Sequence, residues 1–444
     1  MRYKTFLIPA FIAFLLASFY IVKSPGVIES DAKEYDDLAI SILDGKFELA
    51  GEVSMEREPA YPLFRAILKI IKDSPGFILW VQAIIYFFSI FLIGLTMSKI
   101  DPEKGHFAAW GAALAYGLAF YPSVHISETL VAFLLALIGY NLMEGIEKHS
   151  WVYFVNIAIF SSFLLLTRYT YILVPIAAFF ILLKYTKEKL KVYMGFLIIL
   201  CLVTPWVVRN YKQFGEFNMA GRSGGILYAR ALRADASWRS LGDSYLSALV
   251  GRGILFTIYP NNQSIWLEQW GDWWRDKETI REMWGEGRIE IDRNRKEAAF
   301  DIIFKDFNTF AKFVAWTGVD ELRLLQLPNP IFQAGGSPIE GTYGVEAQNT
   351  NLSGLKLGAL GITHLIQLIW FIVVIFSTWI GFKKYGLKFL PGIFLICVLL
   401  PHSIADNIAR YGAPLQPWLL SGIFMTLLYP LKTHVFKRHN TSLQ

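Results

Sequence analysis

The chain has 444 residues, of which 54% are hydrophobic, 16% aromatic and only 18% charged, and its mean hydropathy is +0.41. That is too apolar for an ordinary soluble domain and makes an integral membrane protein the expected class. The formal net charge of +6 does not imply a nucleic-acid partner, because Lys and Arg fall in short groups between apolar runs rather than in one basic tract.

A helix needs about 20 largely apolar residues to cross the hydrocarbon core, and about ten crossings are read on that basis. They run from Thr5 to Val22, Gly76 to Ser98, Phe107 to Tyr121, Ile126 to Gly145, Trp151 to Leu166, Tyr169 to Tyr185, Val192 to Val208, Leu355 to Phe382, Phe389 to Pro401 and Gly412 to Tyr429. The N-terminal stretch MRYKTFLIPAFIAFLLASFYIVK starts basic like a signal peptide, but its apolar run is as long as a span and lacks an A-x-A cleavage site. It is expected to remain as the first helix. Cys201 and Cys397 sit in apolar runs outside any C-x-x-C spacing, so no disulfide framework or zinc site is expected.

Between the first two spans lies the carboxylate-rich stretch Ser30 to Pro62. Asp31 opens a short amphipathic helix whose apolar stripe is Tyr35, Leu38, Ala39 and Ile42, with Gly45 placed to end it. Asp31 followed by Glu34 is also a capping-box pattern, so a helix-capping role and a chemical role both stand and are compatible. Asp36, Asp37 and Asp44 are expected on a solvated helix face. Glu58 in REPAYP precedes Pro59 and is expected to be extended, with Pro62 opening the next helix. Glu128, in Ser127-Glu128-Thr129, stands at the mouth of an apolar helix, where a charge would cost about 2.5 to 3.5 kcal/mol if carried to the bilayer centre. Its bland reading is complementarity to the helix N-terminus.

Arg168 in LLLTRYTY, Arg209 in TPWVVRNY and Arg410 in DNIARYGAPLQP recur at the outer ends of different helices. One such arginine is an interfacial anchor. Three suggest an anion site near the lipid, because guanidinium matches phosphate geometry and stays charged.

The basic groups Arg2 and Lys4, Lys99 and Lys104, Lys148, Lys184 to Lys191, Lys383 to Lys388, and Lys432 to Arg438 fall on one side of this topology. That side is expected to be cytoplasmic, with both termini there. The other side receives the opening stretch, the Tyr121 to His125 and Thr167 to Thr170 turns, the 209–354 segment and the His402 to Tyr411 loop.

Three parts follow: a membrane domain over 1–208 with its first outer loop at 24–75, an extracytoplasmic segment over 209–354, and C-terminal membrane helices over 355–444. In the middle segment an amphipathic helix is expected from Glu290 to Trp316, with Ala299, Ile302, Ile303, Phe310, Phe313 and Val314 along one stripe. Trp266, Trp270, Trp273, Trp274 and Trp284 precede it as interfacial anchors or as a platform for a sugar or lipid chain. Pro328 to Asn351 reads as an irregular loop. The fold class is an all-α polytopic membrane protein with outer-face amphipathic helices and one mixed extracytoplasmic segment.

The D-x-x-x-Y pattern from Asp31 to Tyr35, R-x-P-x-Y-P from Arg57 to Pro62, PWVVRNY from Pro205 to Tyr211 and RYGAPLQP from Arg410 to Pro417 resemble the C-type (GT-C fold) integral-membrane glycosyltransferases. Within these, the chain resembles the polyprenyl-phosphate-sugar-dependent protein mannosyltransferase and aminoarabinose transferase group. The resemblance implies transfer of a sugar from a polyprenyl-phosphate donor to a glycan, lipid or protein acceptor on the outer side of the cell (inner) membrane.

By that resemblance Asp31 is the catalytic base and Glu128 the second acidic position. The expected substrate-binding residues are Tyr35, Arg57, Glu58, Tyr61, His125, Arg168, Arg209, Arg410 and Tyr411. The aminoarabinose transferases carry a K-P-P element where this chain has Glu58-Pro59-Ala60, which points away from lipid A modification. The first loop lacks a D-x-D motif, so a metal-independent reaction is favoured and no cofactor is called for; a divalent metal is the disfavoured alternative. A transporter or flippase of a lipid-linked saccharide is the alternative of another class. It is disfavoured because the charges gather at one face and no internal repeat is visible.

Overall fold

The computed structural model describes residues 4–23, 25–26, 28, 31–250, 283–285, 287–325, 354–402 and 409–429. Trp266, Trp270, Trp273 and Trp274 and the Pro328 to Asn351 loop lie outside these residues. The protein is an all-α polytopic membrane protein, interrupted among the described residues by one two-stranded hairpin.

The chain opens with α1 (Lys4–Lys23), then α2 (Asp31–Leu43), the hairpin strands β1 (Glu48–Leu49) and β2 (Glu52–Val53), α3 (Ala60–Ile71) and α4 (Pro75–Ile100). It continues through α5 (Gly105–Ala113), α6 (Tyr116–Phe120), α7 (Glu128–Lys148), α8 (Trp151–Thr167), α9 (Leu173–Tyr185) and α10 (Lys189–Phe214). Then follow α11 (Ser223–Asp235), α12 (Trp238–Val250), α13 (Arg288–Ile303), α14 (Phe307–Leu324), α15 (Gly354–Tyr385), α16 (Leu390–His402) and α17 (Gln416–Ile423).

Among the described residues five stretches are long and apolar enough to span a bilayer: α1, α4, α7, α10 and Leu365–Lys388. Of the α7 window 78% is buried within the protein, against 17% for α10, so α7 is a central span and α10 turns most of its surface outward. Val131, Leu135, Ile138 and Leu142 on α7 are fully buried, at the spacing of one helical face.

The chain forms two compact units. The first comprises Met1–Asn210, Val373–Val398 and Ala413–Gln444. In it, α5 packs closely at its glycines: a Cβ on Gly105 would lie 2.1 Å from Ser98, and one on Gly111 would lie 2.6 Å from the Leu420 carbonyl. Small residues admit this close helix contact.

The expected single span from Phe107 to Tyr121 is instead two helices, α5 and α6, separated at Leu114 and Ala115. The Ala115 carbonyl accepts both the Ala119 N–H at 3.1 Å and the Tyr86 hydroxyl at 3.2 Å, so the point where the helix breaks is also tied to α4. The last span is likewise not one regular helix: α17 passes into a π-helical turn at Phe424–Leu428.

The second unit comprises Tyr211–Ile372 and Leu399–Gly412. Its described core gathers Ala234, Leu241, Trp316 and Val319, beside a second cluster of Tyr228, Ala231, Ala299 and Ile303. The expected continuous helix from Glu290 to Trp316 is broken between α13 and α14, where the Asp306 carboxylate accepts the Thr309 N–H at 2.7 Å and starts a new helix. The stripe splits accordingly: Ala299 and Ile303 are buried, whereas Phe310 and Val314 are exposed.

Candidate active site

Two local features shape the first outer loop. Gly45 has φ +75 just beyond α2, the left-handed conformation that lets a chain leave a helix sharply. Ala50 and Gly51, both with positive φ (56 and 82), then close the hairpin in which Glu48 pairs with Val53 and Leu49 with Glu52, as a tight two-residue turn requires.

Asp31 is the first residue of α2 and Glu34 follows one turn later, so both carboxylates lie on the same side of the helix. Arg57, only 9% exposed, reaches back to both: its Nη2 donates to Asp31 Oδ1 and its Nε donates to Glu34 Oε2 at 2.8 Å. The guanidinium carbon stands 4.9 Å from the centre of the Tyr35 ring, which packs edge-on against Tyr61 with centroids 4.8 Å apart. Burial alone would lower the Arg57 pKa, but Tyr35, Asp31 and Glu34 raise it well above its ordinary value. The expected stripe of α2 is realised, with Tyr35, Leu38 and Ala39 buried.

Asp36 departs from expectation. It is not on a solvated face: its Oδ1 accepts from Arg65 Nη2 and lies 3.1 Å from Lys69 Nζ. Arg65 is fully buried and the Asp36 side chain is 15% exposed. Burial would raise the Asp36 carboxyl, and the two cations hold it below the usual carboxylate range instead. Arg65 and Lys69 are four residues apart on α3, a helix that begins at Ala60 rather than at Pro62, so both reach the same carboxylate. Asp37 pairs with the exposed Lys33, and Asp44 is exposed.

The turn before α7 is tied to this group. Tyr61 donates its hydroxyl to Gln82 Oε1 at 2.9 Å, and Gln82 Nε2 donates to the Val124 carbonyl at 2.8 Å. Arg65 Nη1 reaches the His125 carbonyl at 3.5 Å. The His125 ring is wholly buried and its two nitrogens have no hydrogen-bond partner among the described residues. Burial first, and then Arg65, lower its pKa to about 4, so the ring is neutral at pH 7.

Glu128, fully buried at the start of α7, accepts from Arg168 Nη2 at 3.1 Å. Glu58 accepts the Tyr169 N–H at 3.1 Å; its pKa is raised by burial, against the lowering effect of backbone N–H groups, Arg168 and Arg57.

Arg209 has a different setting. Its Nη1 donates to the Ser54 carbonyl at 2.7 Å and its Nη2 to the Phe47 carbonyl at 3.4 Å, at the two ends of the hairpin. The Phe47 and Trp206 rings flank the guanidinium at 5.4 and 4.8 Å. Tyr411 belongs to the second unit, its ring 5.9 Å from His402; the side chain of Arg410 lies outside the described residues.

The first unit therefore brings together Asp31, Tyr35, Arg57 and Tyr61, joins Glu128 to Arg168 and Glu58 to Tyr169, and links these through the 121–127 turn. Sequence reasoning missed Glu34, Asp36, Arg65, Lys69 and Gln82 as members. The spacing of Arg65 and Lys69 on an otherwise apolar helix was the available signal. Among the described residues no group of three or more His, Cys, Asp or Glu side chains is gathered as a metal site.

Similarity to solved structures is faint: ArnT from Cupriavidus metallidurans bound to undecaprenyl phosphate aligns with a TM-score of 0.39 at 12% identity, covering 94% of this chain and 78% of that one. The same protein in its apo state aligns with a TM-score of 0.36 at 12% identity, covering 90% and 75%. No curated protein matches the chain. Residues 59–208 match the model of the family described as dolichyl-phosphate-mannose-protein mannosyltransferase, a segment that holds Arg65, His125, Glu128 and Arg168. With that match the resemblance of this membrane protein to the C-type integral-membrane glycosyltransferases, read first from its motifs, holds for this chain.

Proposed function

We propose that the protein transfers a sugar from a polyprenyl-phosphate donor to an acceptor hydroxyl on the extracytoplasmic face of the membrane, by a single inverting displacement with Asp31 as general base. The observation that carries this reading is the Arg57 fork, which holds Asp31 and Glu34 together at the start of α2. A carboxylate held by a charge-assisted bond has its orientation set before the acceptor arrives, and at 23% exposure the Asp31 side chain remains reachable.

Asp31 takes the acceptor proton as the oxygen attacks the anomeric carbon, and the bond from that carbon to the lipid phosphate breaks on the opposite side. Arginine stabilises the charge that grows on the departing phosphate, with Arg168, Arg209 and Arg410 as the candidates. Glu128 and Glu58 orient the sugar or the acceptor. The facing of the site is supported by the basic groups at the other end of the spans, where Lys99 pairs with Glu144 and Glu147, and Lys384 with Asp101.

The test is incubation of the purified protein with labelled polyprenyl-phosphate sugars and an extract of candidate acceptors. Release of polyprenyl phosphate that depends on Asp31 is expected; movement of the intact lipid across a vesicle without release would instead mark a flippase.

A further inference from the structure

Asp31 and Glu128 stand on separate elements, α2 and α7, and nothing in either helix fixes the distance between them. Arg65 bridges α2 and the turn that precedes α7. Its Nη2 holds Asp36, two helical turns or less along α2 from Asp31, and its Nη1 reaches the His125 carbonyl in the turn that leads into Glu128. Lys69 adds a second hold on Asp36 at 3.1 Å and a further contact to Asp73 at 3.1 Å.

Arg65 is 0% exposed, and a guanidinium carried fully out of water is justified only where it is paired and hydrogen-bonded. A rigid planar fork that makes two bonds in fixed directions also locks geometry in a way that a single ammonium cannot. A solvated anchor of α3 would point outward, as Leu63, Ile67, Ile70 and Ile71 do on the opposite, exposed side of this helix; Arg65 points inward, with its charge against α2 and the 121–127 turn.

We infer that Arg65, with Asp36 as its partner, is a positioning residue for the transfer reaction: it sets the separation and relative aim of the Asp31 and Glu128 carboxylates without touching substrate. This rests on the reading of Asp31 as general base. Side chains that hold reacting groups in register act on the chemical step more than on substrate affinity, and displacement by about 1 Å can cost about a hundredfold in rate.

The test compares full-length wild type with Asp36→Asn, Asp36→Glu and Asp31→Asn, reconstituted in vesicles, for kcat and for KM of the lipid-linked sugar. Asp36→Asn, which keeps the shape and loses the charge, is expected to lower kcat by about tenfold or more while KM stays within about twofold. Asp36→Glu is expected to restore part of the lost kcat, because the charge returns.

A kcat within about twofold of wild type for Asp36→Asn, or a raised KM with kcat unchanged, overturns the inference. If Asp36→Asn does not fold, Lys69→Met removes one leg of the clamp and carries the same split, with unchanged kcat as the contrary result. Failure of the underlying reading is separate: it shows as wild-type turnover in Asp31→Asn, whatever Asp36→Asn does.

Discussion

Replacing Arg57 by methionine tests the site's electrostatic design in a quantity that does not depend on knowing the sugar. The substitution keeps an unbranched stem against Tyr35 and deletes the fork that serves Asp31 and Glu34. A hydrogen bond to a charged group contributes about 1.5 to 3 kcal/mol, and two are lost. The carboxylates are 23% and 30% exposed, so water recovers part of that loss. The ring contact adds about 0.5 to 1 kcal/mol, and the two carboxylates left facing each other one turn apart repel by a few tenths, about 0.3 kcal/mol.

The sum is a destabilisation of about 3 kcal/mol. Arg57→Lys, which restores a point charge but not the fork, is expected to recover roughly half of it. Unfolding in mixed micelles with increasing SDS, followed by tryptophan fluorescence, measures the difference. An Arg57→Met protein within about 0.5 kcal/mol of wild type would refute the reasoning, since the range for an unremarkable surface change is that small.

Two further outcomes follow from the same geometry. His125 has its pKa depressed from 6.5 to about 4 in the folded protein, so its contribution to stability is present above the unfolded value and is lost as pH falls through the folded one. The loss is on the order of 3 kcal/mol; His125→Phe should therefore show a flatter fall in thermal midpoint than wild type between about pH 6.5 and pH 4, and parallel curves would contradict this. Arg209→Gln removes the hold on the Ser54 and Phe47 carbonyls, and amide exchange over 47–54 should quicken by about tenfold or more, as losing two hydrogen bonds allows. Unchanged exchange would mean that Arg209 does not fasten the hairpin.

Much of this molecule is legible in its sequence because the bilayer imposes a simple rule: an apolar run of sufficient length becomes a helix. The boundaries at Lys4–Lys23, Pro75–Ile100 and Trp151–Thr167 lie within a few residues of those read from composition. The rule fails where an apolar run breaks into two shorter helices, as at Leu114 and Ala115, and where a turn can restart a helix, as at Asp306.

The hairpin over 48–53 left no clear trace, since its strands are two residues each and its Ala50-Gly51 turn is weakly marked. Within the candidate site, the grouping of Asp31, Tyr35 and Arg57 follows from motif proximity. The burial of Asp36 does not: a carboxylate on α2 reads as solvated until α3 folds over it and supplies Arg65 and Lys69. Long-range pairing of this kind depends on how two helices are set against each other, which spacing along one chain segment does not encode. The carbonyl contacts of Arg209 are equally silent, because a backbone acceptor carries no residue type.

The role of Asp31 is tested most directly by transfer with purified Asp31→Asn protein supplied with a labelled polyprenyl-phosphate sugar and its acceptor. With Asp31 as the general base, the variant folds and inserts like wild type and releases no polyprenyl phosphate above background. Wild-type turnover by Asp31→Asn would contradict it.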